Sequence, residues 1–95
     1  MTRIEIIANN SVEEDVVQAL AGAVDGLKFS KINNVHGIGR SFPKMGSNIW
    51  PEENFILVIY CDDRKADLVE KTVRAVKRKF PEEGIKLFSM KGGVD

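Results

Sequence analysis

Phe55-Ile56-Leu57-Val58-Ile59-Tyr60-Cys61 runs directly into Asp62-Asp63, and the change of pattern at that junction decides the fold. The seven residues before it are apolar on both sides of the alternation, as in a strand buried on both faces. Beyond it the apolar spacing changes to three and four, at Ala66, Val69, Val73, Val76 and Phe80. That is a helical stripe, and Asp62 or Asp63 supplies its cap. Pro81 stops the helix, and Gly84-Ile85-Lys86-Leu87-Phe88-Ser89-Met90 reads as a closing strand.

The upstream half repeats the pattern. Arg3 to Ala8 alternates, with Ile4, Ile6 and Ala8 on one face and Arg3, Glu5 and Ile7 on the other. Ser11-Val12-Glu13-Glu14 has the form of a capping box, and Val12, Val16, Ala19, Leu20 and Ala23 follow at helical spacing until Gly26 can end the helix. Leu27 to His36 is a less regular strand, since Phe29, Ile32 and Val35 recur every third residue. A bulge near Asn33-Asn34 restores its register. The order β-α-β-β-α-β defines an α+β fold, the ferredoxin-like sandwich, formed by residues 1–95 as a single domain. Both helices then cover one sheet face. Ile7, Ile56, Val58, Tyr60, Phe88 and Met90 fall on the opposite face, an apolar patch rarely left open on a soluble monomer. The expectation is a homo-oligomer whose sheet faces meet inside.

Ninety-five residues hold one core and no second lobe. Fourteen basic and fourteen acidic residues balance to zero formal charge, without the basic footprint of a nucleic-acid binder. The longest apolar run, Phe55 to Cys61, is too short to cross a bilayer, and Met1-Thr2-Arg3-Ile4-Glu5 lacks a signal-peptide core. A cytoplasmic protein without an integral membrane segment is expected.

Gly37-Ile38-Gly39-Arg40 closes the second strand and opens the long segment Ser41 to Glu53. Glycines at 37 and 39 can take positive φ and bring backbone N–H groups close to a ligand, and Arg40 offers a planar fork to phosphate or carboxylate. An ordinary strand-to-loop exit accounts for the same residues equally well. A loop of that length in so small a domain is expected to be functional or disordered.

The chain resembles the nitrogen-regulatory PII signalling family over nearly its whole length. Asn33-Asn34-Val35-His36-Gly37-Ile38-Gly39-Arg40 is similar to that family's strand and Gly-Phe-Gly-Arg turn. Val58-Ile59-Tyr60-Cys61-Asp62-Asp63 is similar to its strand ending in aspartates, and Lys86-Leu87-Phe88 to its closing Lys-Ile-Phe. The resemblance implies a homotrimer that binds ATP, ADP or AMP, with or without 2-oxoglutarate, in clefts between subunits. No cofactor is obligatory. Gly37, Ile38, Gly39 and Arg40 would border the nucleotide and Lys86 would reach its phosphates. The loop 41–53, with Phe42, Lys44 and Trp50, would dock on a regulated transporter or enzyme. Departures are visible: Phe80-Pro81-Glu82-Glu83-Gly84-Ile85-Lys86 stands where the family has a glycine-rich phosphate loop, and its two carboxylates oppose an approaching anion. The C-terminal segment Lys91-Gly92-Gly93-Val94-Asp95 lacks the arginines that the family supplies to the neighbouring site, and the loop has no tyrosine for nucleotidyl modification.

Asn48-Ile49-Trp50-Pro51-Glu52-Glu53 running into Phe55 is also similar, more faintly, to the tryptophan-bearing segment of the CutA trimers, which implies a divalent-metal response. The chain lacks the cysteine-containing stretch before that tryptophan. A ligand-free interaction module is the third reading. His36, the sole histidine, has no ligand-spaced companion, so no metal site is expected. Cys61 reads as a core thiol, and Asp62-Asp63 as a helix cap before an acid–base pair. The cations of the second helix, offset by Asp67, Glu70, Glu82 and Glu83, read as a solvated face. No serine, cysteine or lysine has an activating partner, and no catalytic residue is expected.

Overall fold

The alternating segment at the start of the chain lies at the centre of the sheet. In the computed structural model, which describes residues 1–37 and 52–92, strand β1 spans Thr2–Asn9 and helix α1 spans Glu13–Ala23. Strands β2 and β3 span Ser30–Gly37 and Glu52–Cys61, helix α2 spans Asp63–Lys79, and strand β4 spans Ile85–Lys91. The sheet order is β2-β3-β1-β4 with every neighbouring pair antiparallel, and the element order is the expected β-α-β-β-α-β.

Both helices lie on one face. Ile4, Ile6 and Ala8 of β1, Phe55, Leu57, Ile59 and Cys61 of β3, and Ile85 of β4 point into a core closed by Val16 and Leu20 of α1 and by Ala66, Val69, Val73 and Val76 of α2. The period of two along the strands and of three to four along the helices puts these side chains in one layer.

Several boundaries differ from the sequence reading, and β2 begins at Ser30 rather than Leu27. Ser11 does not cap α1: Asn9 accepts the Ser11 N–H at 2.9 Å, a short 3₁₀ turn spans Asn10–Val12, and α1 begins at Glu13. The asparagine side chain reaches the backbone two residues on, which leaves the serine hydroxyl for Glu83, whose carboxylate accepts it at 2.8 Å. Gly26 likewise sits beyond the helix end, where its φ of 68° turns the chain toward β2. Glu52 and Glu53 belong to β3 rather than to the preceding loop, because Gly37 and His36 pair with them and prolong the ladder past the apolar run. The bulge is present, with a register shift between Ile32 and Val35 and Asn34 at φ 58°. Asparagine tolerates that conformation better than most residues.

Two substitutions test this architecture by urea unfolding. Phe55→Ala, at a fully buried position, should cost about 3–5 kcal/mol. Asn34→Val should lower stability by about 1 kcal/mol or more while Asn34→Gly stays near neutral, since a β-branched residue is strained at positive φ.

Candidate functional site

Because all neighbouring strands are antiparallel, the end of β2, the start of β3, the end of β1 and the start of β4 share one end of the sheet. Gly37 and Lys86, two of the residues expected to meet an effector, both lie there. They stand on opposite edge strands, three strand spacings or ~14 Å apart across the sheet, and the register sets Lys86 level with Ile56, four residues along β3 from Glu52, so a further ~13 Å separates them along the strands. Lys86 is exposed, pairs with Ile7, and lies on the face without helices. Ile38, Gly39, Arg40, Phe42, Lys44 and Trp50 lie outside the described residues.

Gly37 closes β2 opposite Glu52. Positive φ is not its reason for being glycine: among the described glycines only Gly26 has it. A Cβ at Gly37 would stand 3.1 Å from Nδ2 of Asn54, so the requirement is close approach. Asn54 is 6% exposed and sits on the open face between Asn9 and Val35. Sequence reasoning passed over it, because a single asparagine before an apolar run carries no periodic signal.

The turn preceding Lys86 is pinned from two sides. The Asn9 N–H donates to the Gly84 carbonyl at 2.9 Å, and the Ser11 hydroxyl donates to Glu83. One of the two carboxylates in this turn is thereby engaged, while Glu82 remains exposed. On the other edge His36 Nε2 lies 3.8 Å from Glu53 Oε1, both side chains being largely open to solvent. Among the described residues no group of three His, Cys, Asp or Glu is placed to hold a metal ion.

The opposite end of the sheet carries the aspartate pair. Asp62 is the N-cap of α2 and accepts the Lys65 N–H at 2.8 Å. Asp63, the first helical residue, accepts the Thr2 hydroxyl at 2.6 Å and lies 3.4 Å from the N-terminal ammonium and 3.5 Å from Lys91 Nζ. The Thr2 hydrogen bond, then the Lys91 and N-terminal charges, hold its carboxyl below the ordinary value. Neither aspartate is arranged as an acid–base pair. Beside them a shallow cleft is lined by Gly26, Leu27, Lys28, Tyr60, Cys61, Asp62 and Lys65. Burial, followed by the Asp62 charge, pushes the Cys61 thiol up.

No family model matches the chain, and no curated protein matches it. Solved structures do. CPII from Thiomonas intermedia K12, bound to ADP and bicarbonate, superposes with a TM-score of 0.69 at 14% identity over 94% of this chain and 82% of that one. The same nitrogen regulatory PII-like protein bound to ADP, AMP and bicarbonate gives 0.66 at 16% identity, covering 94% and 86%. A PII-like signaling protein from Thermus thermophilus gives 0.59 at 17% identity, covering 94% and 83%. The fold of this chain is therefore that of the PII-like signalling proteins.

The Asp63 network predicts a pH dependence. A carboxyl whose folded value is lowered stabilises the fold above its unfolded value, about 3.9, and loses that contribution as the pH falls through the folded value. Asp63→Asn should therefore melt at a lower temperature than the parent at pH 7. The difference should shrink steadily below about pH 4, which melting curves across pH will show.

Proposed function

We propose that the chain is a divergent PII-like regulatory protein rather than an enzyme: a homotrimer that senses an adenine nucleotide, together with 2-oxoglutarate or a similar small anion, between its subunits. The observation that carries this reading is the PII-like fold itself, shared across 94% of the chain with a protein whose structure holds ADP and bicarbonate. Two features of the chain support it. Gly37 and Lys86 stand on opposite edges of the sheet, roughly 20 Å apart within one chain, so a nucleotide held between subunits would meet Gly37 of one copy and Lys86 of another. The helix-free face exposes Tyr60 at 61%, Phe88 at 53%, Met90 at 51% and Ile32 at 50%, which favours burial against other copies.

Lys86 is the described cation of this site, and its ammonium would neutralise phosphate oxygens. Gly37, Ile38, Gly39 and Arg40 would form the other wall. The segment between β2 and β3, with Phe42, Lys44 and Trp50, would present the partner-binding surface and control a transporter or enzyme of the cytoplasm. Glu53 and Glu82 oppose each added negative charge, which favours AMP or ADP over the more highly charged triphosphate.

Titration calorimetry with ATP, ADP and AMP, each with and without 2-oxoglutarate or bicarbonate, tests the effector. Lys86→Ala should weaken the tightest of these by roughly 10- to 100-fold, the loss of one charge-assisted hydrogen bond. Absence of binding by every nucleotide would remove the effector from the proposal. Light scattering should give three times the mass of one chain, and a single-chain mass would remove the trimer.

A further inference from the structure

The helix-free face is a grid whose centre is charged. The register places Arg3 between Tyr60 and Met90, Glu5 between Val58 and Phe88, and Ile7 between Ile56 and Lys86. A basic and an acidic side chain thus stand two residues apart on the central strand, with apolar side chains on both flanks.

Within one chain this pair is incompletely satisfied. Arg3 Nη2 donates to Glu5 Oε2 at 3.1 Å, Nη1 donates to the Tyr60 hydroxyl at 3.1 Å, and the guanidinium lies 5.7 Å from the centre of the Tyr60 ring. Arg3 Nε is shielded from solvent and has no hydrogen-bond partner, the only buried side-chain polar atom in that condition among the described residues. A guanidinium folded over a tyrosine with an orphaned donor is in a compromise arrangement, held where water cannot reach that N–H. Turned away from the ring, it could present Nε–H and Nη–H together to a carboxylate in the two-point geometry that arginine favours.

We infer that Arg3 and Glu5 form a reciprocal ion pair between copies of this chain, Arg3 of each copy taking Glu5 of the next, and that this pairing selects how the apolar faces meet. The inference rests on the assembly proposed above and adds the element that makes it specific. The occupant of the face is a second copy because the patch is complementary to itself: it carries one cation and one anion on the same strand, in a chain of zero formal net charge. In a closed ring every copy gives one guanidinium and one carboxylate, so no charge is left over. Apolar neighbours on either side exclude water and strengthen the pair, while like charges brought together there are strongly disfavoured.

Charge reversal tests this. Arg3→Glu leaves only carboxylates at the centre of the face, and Glu5→Arg leaves only guanidinium groups. Each variant alone should associate at least about 30-fold more weakly than the parent, and the double variant Arg3→Glu/Glu5→Arg, in which every copy again carries one cation and one anion, should recover parent-like assembly, read by native mass spectrometry. Recovery in the double variant also shows that the face tolerates both substitutions. Arg3→Lys, which keeps the charge and loses the fork, should weaken assembly less than Arg3→Glu. Single variants that assemble as the parent does, or a double variant that fails to recover while circular dichroism shows it folded, overturn the pairing and leave the trimer standing. If the variants do not fold, Glu5→Gln replaces them, and parent-like assembly of that variant overturns the pairing. A monomeric parent overturns the assembly itself.

Discussion

The whole arrangement depends on one shortage: the sheet has two faces, and the helices among the described residues cover only one. Ile4, Ile6, Leu57 and Ile59 are fully buried beneath α1 and α2, but β3 is apolar on its other side as well, where Ile56 and Val58 are half-buried and Tyr60 is open. Among the described residues no further layer covers that side. The helix-free face therefore leaves apolar area open, and any polar group on it must be satisfied by its own neighbours or by another molecule.

Antiparallel pairing throughout the sheet gathers the strand termini at two ends with different characters. At one end Asp63 gathers the Thr2 hydroxyl, the N-terminal ammonium and Lys91, which ties together β1, β4 and α2. At the other, β2 passes into the segment 38–51 and β4 emerges from a turn held by Asn9 and Ser11. A ligand able to bridge the second end would touch both edge strands of the sheet without disturbing the core between them.

Much of this was legible in the chain. Element order, the apolar second face and the β2 bulge all leave periodic signatures: alternation in β1, a spacing of three and four in α2, and a period of three in β2 that only an extra residue at Asn33-Asn34 reconciles with a strand. The misread positions are those where a polar side chain had a choice of backbone. Ser11 and Asn9 could each cap a turn, and the asparagine did so because its carbonyl reaches the Ser11 N–H. Glu52 and Glu53 looked like loop because they are charged, yet ladder pairing depends on the backbone and on a neighbour in register. The wide separation of Lys86 from Gly37, on opposite edges of the sheet, follows from strand order and register, which no local pattern encodes.

Asn54 shows how a residue invisible to pattern reading can shape a site. It is polar and buried on a face that is otherwise apolar or open. Its amide lies so close to β2 that a methyl group at position 37 would crowd Nδ2 at 3.1 Å. The glycine leaves the space beside the Asn54 amide clear where β2 and β3 still pair, Gly37 with Glu52. The first glycine of the Gly-x-Gly-Arg stretch belongs to the sheet, and the segment that begins at Ile38 leaves from a fixed point.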